Sequence, residues 1–213
     1  MAKVLSLFMK LLGLTGGVGM GKTTCASLLS ARGVPITDTD DLAREVVEPG
    51  QPGLIELRKA FGPTFVGPDG RLLRKKLAQL VFADTAARQR LESILHPLIR
   101  NLWQAQLERW RKEERSLGVV VIPLLFETRA EAELDVTVCV ACSPGSQRDR
   151  LRSRGWSSDQ IEQRIRSQWP IEEKLLRSTF VIWTEGSLDV HAAQLDRILS
   201  RLRPHALSSL LPP

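Results

Sequence analysis

Tyrosine is absent from the 213 residues, and Phe and Trp together bring the aromatic share to only 5%. A stacking platform for single-stranded nucleic acid needs aromatic side chains along a basic groove, and this composition does not supply one. Cysteine is scarce too: Cys25, Cys139 and Cys142 are too few for the disulfide framework of a small secreted domain. Cys139 and Cys142 form a C-x-x-C, but no second pair or nearby histidine completes a zinc site. All three read as reduced, buried thiols. No run approaches the roughly 18 apolar residues of a membrane-crossing helix, so no membrane partner is expected. Residues 1–14 have the length of a secretion signal, yet Lys10 interrupts them and a glycine-rich turn follows where a cleavage site belongs. A buried first strand and a cytoplasmic protein are the expectation.

Low-complexity and collagen-like chains are excluded by 15 Gly and 12 Pro, and disorder by a hydrophobic content of 43%. The length fits one domain, or one domain with a sizeable insertion. A net charge of +6 and a pI near 9.6 suit anionic partners. The sign alone does not choose among nucleotides, nucleic acid and acidic membranes.

Short apolar, β-branched runs predict strands over 7–14, 34–39, 119–125, 136–141 and 180–183. Helical patterns lie over 22–31, 98–115, 147–154, 158–168 and 188–202. Strands alternating with helices imply an α/β fold on a parallel sheet. Two intervals exceed a single crossover. About eighty residues separate Thr39 from Val119 and predict a helical subdomain. Residues 143–178 predict an arginine-bearing helical hairpin, and 207–213 a loose tail.

The strongest signal is Gly16-Gly17-Val18-Gly19-Met20-Gly21-Lys22-Thr23, an instance of G-x-x-x-x-G-K-[ST] between a predicted strand and a predicted helix. Glycines let backbone N–H groups converge on a phosphate, and the helix N-terminus adds positive potential. Lys22 can reach the β- and γ-phosphates, and the Thr23 hydroxyl can ligate Mg²⁺. A nucleoside triphosphate is the implied ligand. A GTPase would add Asn-Lys-x-Asp, but the sole asparagine, Asn101, precedes Leu102. The third strand runs into Pro123 where many ATPases carry Asp.

Asp38-Thr39-Asp40 closes the second predicted strand. Residues two apart on a strand share a face, so both carboxylates are expected at the sheet's carboxyl edge, where such sheets bind ligands. There a carboxylate can take the proton of an attacking hydroxyl. The competing reading is helix capping by Asp40 or Asp41. Between Gln147 and Gln168 six arginines face three acids (Asp149, Asp159, Glu162). Arg148 with Arg152, and Arg150 with Arg154, form i,i+4 pairs on nearly opposite faces, so one pair can meet a phosphate while the other stays in solvent. A solvated basic helix is the alternative; beside a triphosphate cradle, a mobile lid is the better reading.

These blocks, together with Ala43-Arg44-Glu45-Val46-Val47-Glu48-Pro49-Gly50, Leu95-His96-Pro97-Leu98-Ile99-Arg100, Ile122-Pro123-Leu124-Leu125-Phe126-Glu127 and Arg164-Ile165-x-x-Gln168, resemble in their order the dephospho-coenzyme A kinase family over residues 7–190. The resemblance implies ATP-dependent phosphorylation of the 3′-hydroxyl of dephospho-CoA, the last step of CoA biosynthesis. It implies a five-stranded parallel P-loop kinase of three α/β/α layers. The core covers about 1–40, 117–143 and 178–205, a helical CoA-binding subdomain about 41–116, and a lid about 144–177. Lys22, Asp40 as base and Arg150 would be catalytic. Gly17, Val18, Gly19, Met20, Gly21, Lys22, Thr23 and Thr24 would hold ATP, with Mg²⁺ on Thr23. Asp38, Arg44, His96, Arg100, Pro123, Leu124 and Leu125 would line the acceptor site, although His96 beside Pro97 also reads as a helix start. Two departures stand out: Met20 replaces a common serine, and Val181-Ile182-Trp183-Thr184 replaces a usual Asp-Asn, which puts adenine contacts there in doubt. A monomer or small homo-oligomer is expected. The rivals are a kinase for another nucleoside or nucleotide, and a nucleic-acid-stimulated ATPase.

Overall fold

A computed structural model of the chain describes residues 9–202, so the tail at 207–213 and the first two residues of the 7–14 strand lie outside the described residues. Its sheet consists of β1 (Lys10–Gly16), β2 (Ile36–Asp38), β3 (Leu117–Val121), β4 (Val136–Ala141) and β5 (Phe180–Trp183), in the order β2-β3-β1-β4-β5. β1 runs parallel to both β3 and β4, and β4 to β5. The chain leaves β1 toward one edge and, after β3, crosses to the other. That reversal is a topological switch point, and the crevice outside the strands' carboxyl ends there is where such sheets bind ligands.

The described helices are α1 (Lys22–Ser30), α2 (Thr39–Glu45), α3 (Pro52–Phe61), α4 (Arg74–Ala83), α5 (Thr85–Lys112), α6 (Pro144–Arg152), α7 (Ser158–Arg166), α8 (Ile171–Arg177) and α9 (Leu188–Leu202). None is long and apolar enough to cross a membrane. The chain divides into two units, one holding the residues up to Ile36 with those from Trp110 onward, the other Thr37–Arg109.

In the first unit, Leu12 and Leu14 of β1, Val119 and Val121 of β3, Val136, Val138 and Val140 of β4 and Ile182 of β5 close against Cys25 and Leu29 of α1 and Leu195, Ile198 and Leu202 of α9. Each such leucine, isoleucine or valine contributes about 1.5–3 kcal/mol by leaving water. The alternate residues face the other layer. A Cβ on Gly13 would strike Leu134 and Leu125, and one on Gly118 would strike the Trp110 indole. With both faces covered, the strands read as continuous apolar runs. Burial also pushes the Cys25 thiol up to about 12 and the Cys139 thiol to about 11, and raises Cys142. All three stay protonated.

The second unit is helical, with Val46, Val47, Leu57 and Leu77 at its centre. Here the expected 98–115 helix is corrected: α5 runs from Thr85 to Lys112 with Pro97 inside it. A proline inside a helix costs about 3 kcal/mol. Leu91, Ile94, Leu95, Leu98, Ile99 and Leu102 form one stripe across it, all packed on the unit's core, and their burial outweighs that cost. His96 therefore does not start a helix.

Two further expectations are corrected. β2 stops at Asp38, because its carboxylate accepts the Asp40 N–H at 2.8 Å and serves as N-cap of α2. Asp40 thus lies in a helix's first turn and shares no strand face with Asp38, and the cap is neither Asp40 nor Asp41. Residues 143–178 form three helices, not a hairpin. Pro170 ends the turn after α7 and starts α8, whose first turn carries Glu172 and Glu173 and whose last turn carries Lys174 and Arg177, matching the helix dipole.

Candidate active site

β1 ends in the glycine-rich loop, and α1 begins at Lys22. Gly19 and Gly21 adopt φ of 76° and 100°, conformations that side-chain-bearing residues rarely reach. A Cβ on Gly19 would also press on Leu151 at 2.8 Å, so α6 packs directly over the loop. The Met20 side chain is buried with Ala141, Cys142, Ile171 and Leu175, which anchors the loop from beneath while its backbone remains part of the cradle. Lys22 Nζ donates to the carbonyls of Gly16 at 2.8 Å and Gly17 at 3.0 Å, holding an ammonium across the loop's mouth. Thr23 and Thr24 are exposed at the first turn of α1. Thr23 is thus an exposed hydroxyl-bearing residue directly after Lys22, which suits a ligand of a phosphate-bound Mg²⁺.

Residues following β4 and β5 surround this loop. Gln147 of α6 donates from Nε2 to the Val18 carbonyl at 2.8 Å, and Gln168, just after α7, accepts the Val18 N–H at 2.9 Å. The Arg150 guanidinium donates to Thr184 Oγ1 at 2.8 Å and to the Thr184 carbonyl oxygen. Thr184 Oγ1 in turn lies 3.0 Å from Met20 O and 3.2 Å from Ala141 O. The opposite arginine pair is spent on ion pairs: Arg148 with Glu162 at 2.7 Å and Arg152 with Asp149 at 2.8 Å. Arg150 is therefore turned toward Thr184 and the loop. Arg164 lies over the Trp156 ring at 5.2 Å; Gln168 falls beyond the end of α7 and not on its face.

Glu185 ties the start of α6 to the end of β5. Its Oε1 accepts the Ser143 N–H at 2.9 Å and the Ser146 hydroxyl at 2.8 Å, and its Oε2 accepts the Trp183 indole N–H at 3.0 Å. The hydroxyls of Ser143 and Ser146, the Ser143 amide and the Trp183 indole hold its carboxyl down to about 2. On the other side of the loop, Pro123 follows the end of β3 and its carbonyl accepts the Thr15 hydroxyl at 3.3 Å and Lys174 Nζ at 2.7 Å. Leu124 is partly exposed, whereas Leu125 is wholly buried.

The remaining sequence-derived candidates belong to the second unit. Asp40 is an exposed carboxylate in the first turn of α2, and Arg44 lies in that helix's last turn, bonded to Asp41 at 3.1 Å. His96 and Arg100 are exposed and one turn apart on α5. Sequence reasoning passed over a cluster beside Arg44: Arg74 donates to the Arg44 carbonyl at 3.1 Å, and Arg71 and Arg74 both reach Glu48. It gave no role to Glu185 or Lys174 and foresaw no contact of Thr184 with Arg150 or of Gln147 with Val18. The bonds Thr184–Arg150, Glu185–Ser143, Lys174–Pro123 and Gln147–Val18 span 34 to 129 residues.

A parallel α/β sheet whose central strand feeds a phosphate loop, with the arginine-bearing helix α6 packed over that loop, defines a P-loop kinase. Residues 10–189 match the model of the family described as dephospho-CoA kinase. The chain is 41% identical to a dephospho-CoA kinase of Bdellovibrio bacteriovorus over 91% of its length and 96% of that protein's. It is 42% identical to one of Anaeromyxobacter dehalogenans over 92% and 93%. A crystal structure from Thermus thermophilus, 37% identical, superposes with a TM-score of 0.82 over 92% of this chain and all of that one. The dephospho-CoA kinase of Campylobacter jejuni, 23% identical, shares the fold at 0.68 over 90% and 96%. The chain belongs to the dephospho-CoA kinase family.

Proposed function

We propose that this chain transfers the γ-phosphoryl group of ATP to the 3′-hydroxyl of dephospho-CoA, giving CoA and ADP as the last step of CoA biosynthesis. The observation that carries this reading is an intact phosphate cradle in a chain about 40% identical to dephospho-CoA kinases over nine-tenths of its length. The cradle amides and Lys22 hold the β- and γ-phosphates, with Lys22 exchanging the Gly16 and Gly17 carbonyls for phosphate oxygens. The Thr23 hydroxyl would help hold a nucleotide-bound Mg²⁺, which would supply charge neutralisation. Asp40 takes the proton of the attacking hydroxyl. Arg150 leaves Thr184 for the transferring phosphoryl, where its planar fork offsets developing charge.

In this reading residues 144–177 are the lid and the unit built on Thr37–Arg109 binds the acceptor through Asp38, Arg44, His96 and Arg100, while Pro123, Leu124 and Leu125, in the first unit, also serve the acceptor. The buried, protonated thiols suit a cytoplasmic enzyme. Coupled ADP release tests the proposal: release should depend on dephospho-CoA. A clear preference for a nucleoside, or release stimulated by nucleic acid, would replace this reading with one of its rivals.

A further inference from the structure

We propose that Gln168 is a positioning residue for the triphosphate, held in place by the buried Glu127–Lys174 pair, so that the lid sets the shape of the phosphate loop as well as carrying Arg150. The proposal deepens the kinase reading and rests on it only for its acceptor arm.

The two glutamines on Val18 grip different peptide groups. Gln168 binds the N–H that belongs to the Gly17–Val18 peptide, and Gln147 the C=O that belongs to the Val18–Gly19 peptide. With both planes held, φ and ψ of Val18 are fixed. Because a trans peptide points its C=O and N–H in opposite directions, drawing the Val18 carbonyl toward Gln147 turns the Gly19 N–H away from the lid. That is the direction the cradle requires. Gly19 itself, at φ 76°, has no side chain to restrain it, so the restraint comes from these two contacts.

Gln168 is in turn held from its own backbone. The next residue, Trp169, donates its N–H to Glu127 Oε1 at 2.9 Å, and the same oxygen lies 2.7 Å from Lys174 Nζ. Lys174 has no exposed side-chain surface, and Glu127 only 14%. Lys174 also donates to the Pro123 carbonyl, which accepts the hydroxyl of Thr15 near the end of β1. The bonds close a ring: Thr15, Pro123, Lys174, Glu127, Trp169, Gln168, Val18, and back through the loop to β1. A surface pair would serve as well if the lid needed only to stay attached. A desolvated pair joined to two backbone groups fixes one geometry, because breaking either half leaves an uncompensated buried charge.

The deciding variant is Gln168→Met, which keeps the side chain's length, loses the acceptor and sits at a partly exposed position. Removing one hydrogen bond should weaken ATP affinity, measured by titration without acceptor, by about 3- to 10-fold. KM for ATP should rise equally while KM for the acceptor stays within about twofold. Glu162→Gln, which loosens the α6–α7 ion pair without touching Val18, should leave ATP affinity unchanged. Replacing both buried charges together, Glu127→Met with Lys174→Met, should reproduce the loss seen for Gln168→Met. The proposal is overturned if Gln168→Met binds ATP normally, or if Glu162→Gln weakens binding as much, since general lid order would then be the cause. The acceptor's identity is judged separately. A wild-type chain that binds ATP but ignores dephospho-CoA sinks the functional reading and leaves the ATP-affinity comparison intact.

Discussion

Arg150 is docked on Thr184 through a side-chain and a backbone hydrogen bond, and the same Thr184 hydroxyl reaches the Met20 carbonyl of the phosphate loop. Arg150 thus lies one hydroxyl away from the cradle, with two hydrogen bonds to Thr184. Moving to a phosphoryl group exchanges neutral acceptors for charged ones, and charge-assisted bonds are roughly twice as strong. Arg150→Ala should therefore lower kcat on the order of 10³-fold or more, by analogy with transition-state arginines. Arg150→Lys should recover only part of it, since an ammonium lacks the planar fork. ATP affinity measured by titration should change far less than kcat. A variant turning over at the wild-type rate would remove Arg150 from the chemistry.

Asp40 is an exposed carboxylate at the start of α2, and its backbone N–H is already spent on the Asp38 carboxylate. The capping work falls to Asp38, so the Asp40 side chain is not needed as a cap and is open to the role of base proposed for it. Asp40→Asn should preserve ATP binding and depress turnover by about 10²–10⁴-fold, the usual contribution of a general base. Asp38→Ala should act differently. Losing an N-cap costs about 1 kcal/mol of stability and shows in the denaturation midpoint.

Glu185 carries the clearest pH signature. The Ser143 and Ser146 hydroxyls, the Ser143 amide and the Trp183 indole lower its carboxyl from 4.5 to about 2. A carboxyl depressed on folding stabilises the native state fully above its unfolded value, and that contribution is lost as pH falls through the folded value. Wild-type and Glu185→Gln proteins should differ in melting temperature by a constant amount above about pH 5. The gap should close between about pH 4.5 and 2. Melts across that range check this; a gap that widens on acidification would contradict the assignment.

Much of the framework was legible from the chain alone, for reasons particular residues make plain. The phosphate loop depends on positive φ at Gly19 and Gly21, so its glycines are visible without any partner. β4, β5 and α9 occupy their expected ranges because each is bounded by local turn chemistry and filled by its own apolar period. The readings that failed turned on competition between local and distant forces. Asp38 diverted the backbone into α2 by bonding Asp40 N–H, an alternative that short polar side chains offer wherever a strand ends. Pro97 hid the middle of α5, although the stripe from Leu91 to Leu102 crosses it without a break. Lys174 looked like one more surface lysine in a charged helix. Its burial follows from Pro123 and Glu127, roughly fifty residues earlier, and no local pattern announces such partners.

His191 supplies the last prediction. It lies in the first turn of α9, only 5% exposed, with Nε2 buried and unpartnered. Burial, helped by the positive charge of nearby Arg150, pushes its titration below the usual 6.5. A group whose folded pKa is depressed in this way resists protonation in the native state but accepts a proton once unfolded, so stability falls as pH drops below the unfolded value. The orphaned nitrogen adds a desolvation cost of about 1–3 kcal/mol at any pH. Leucine fills a similar volume and carries neither penalty. His191→Leu should raise the denaturation midpoint at pH 8, and the advantage should grow as pH falls from about 6.5 toward 5. If the two proteins lose stability in parallel over that interval, His191 takes up its proton as readily folded as unfolded, and its burial against Arg150 carries no electrostatic cost.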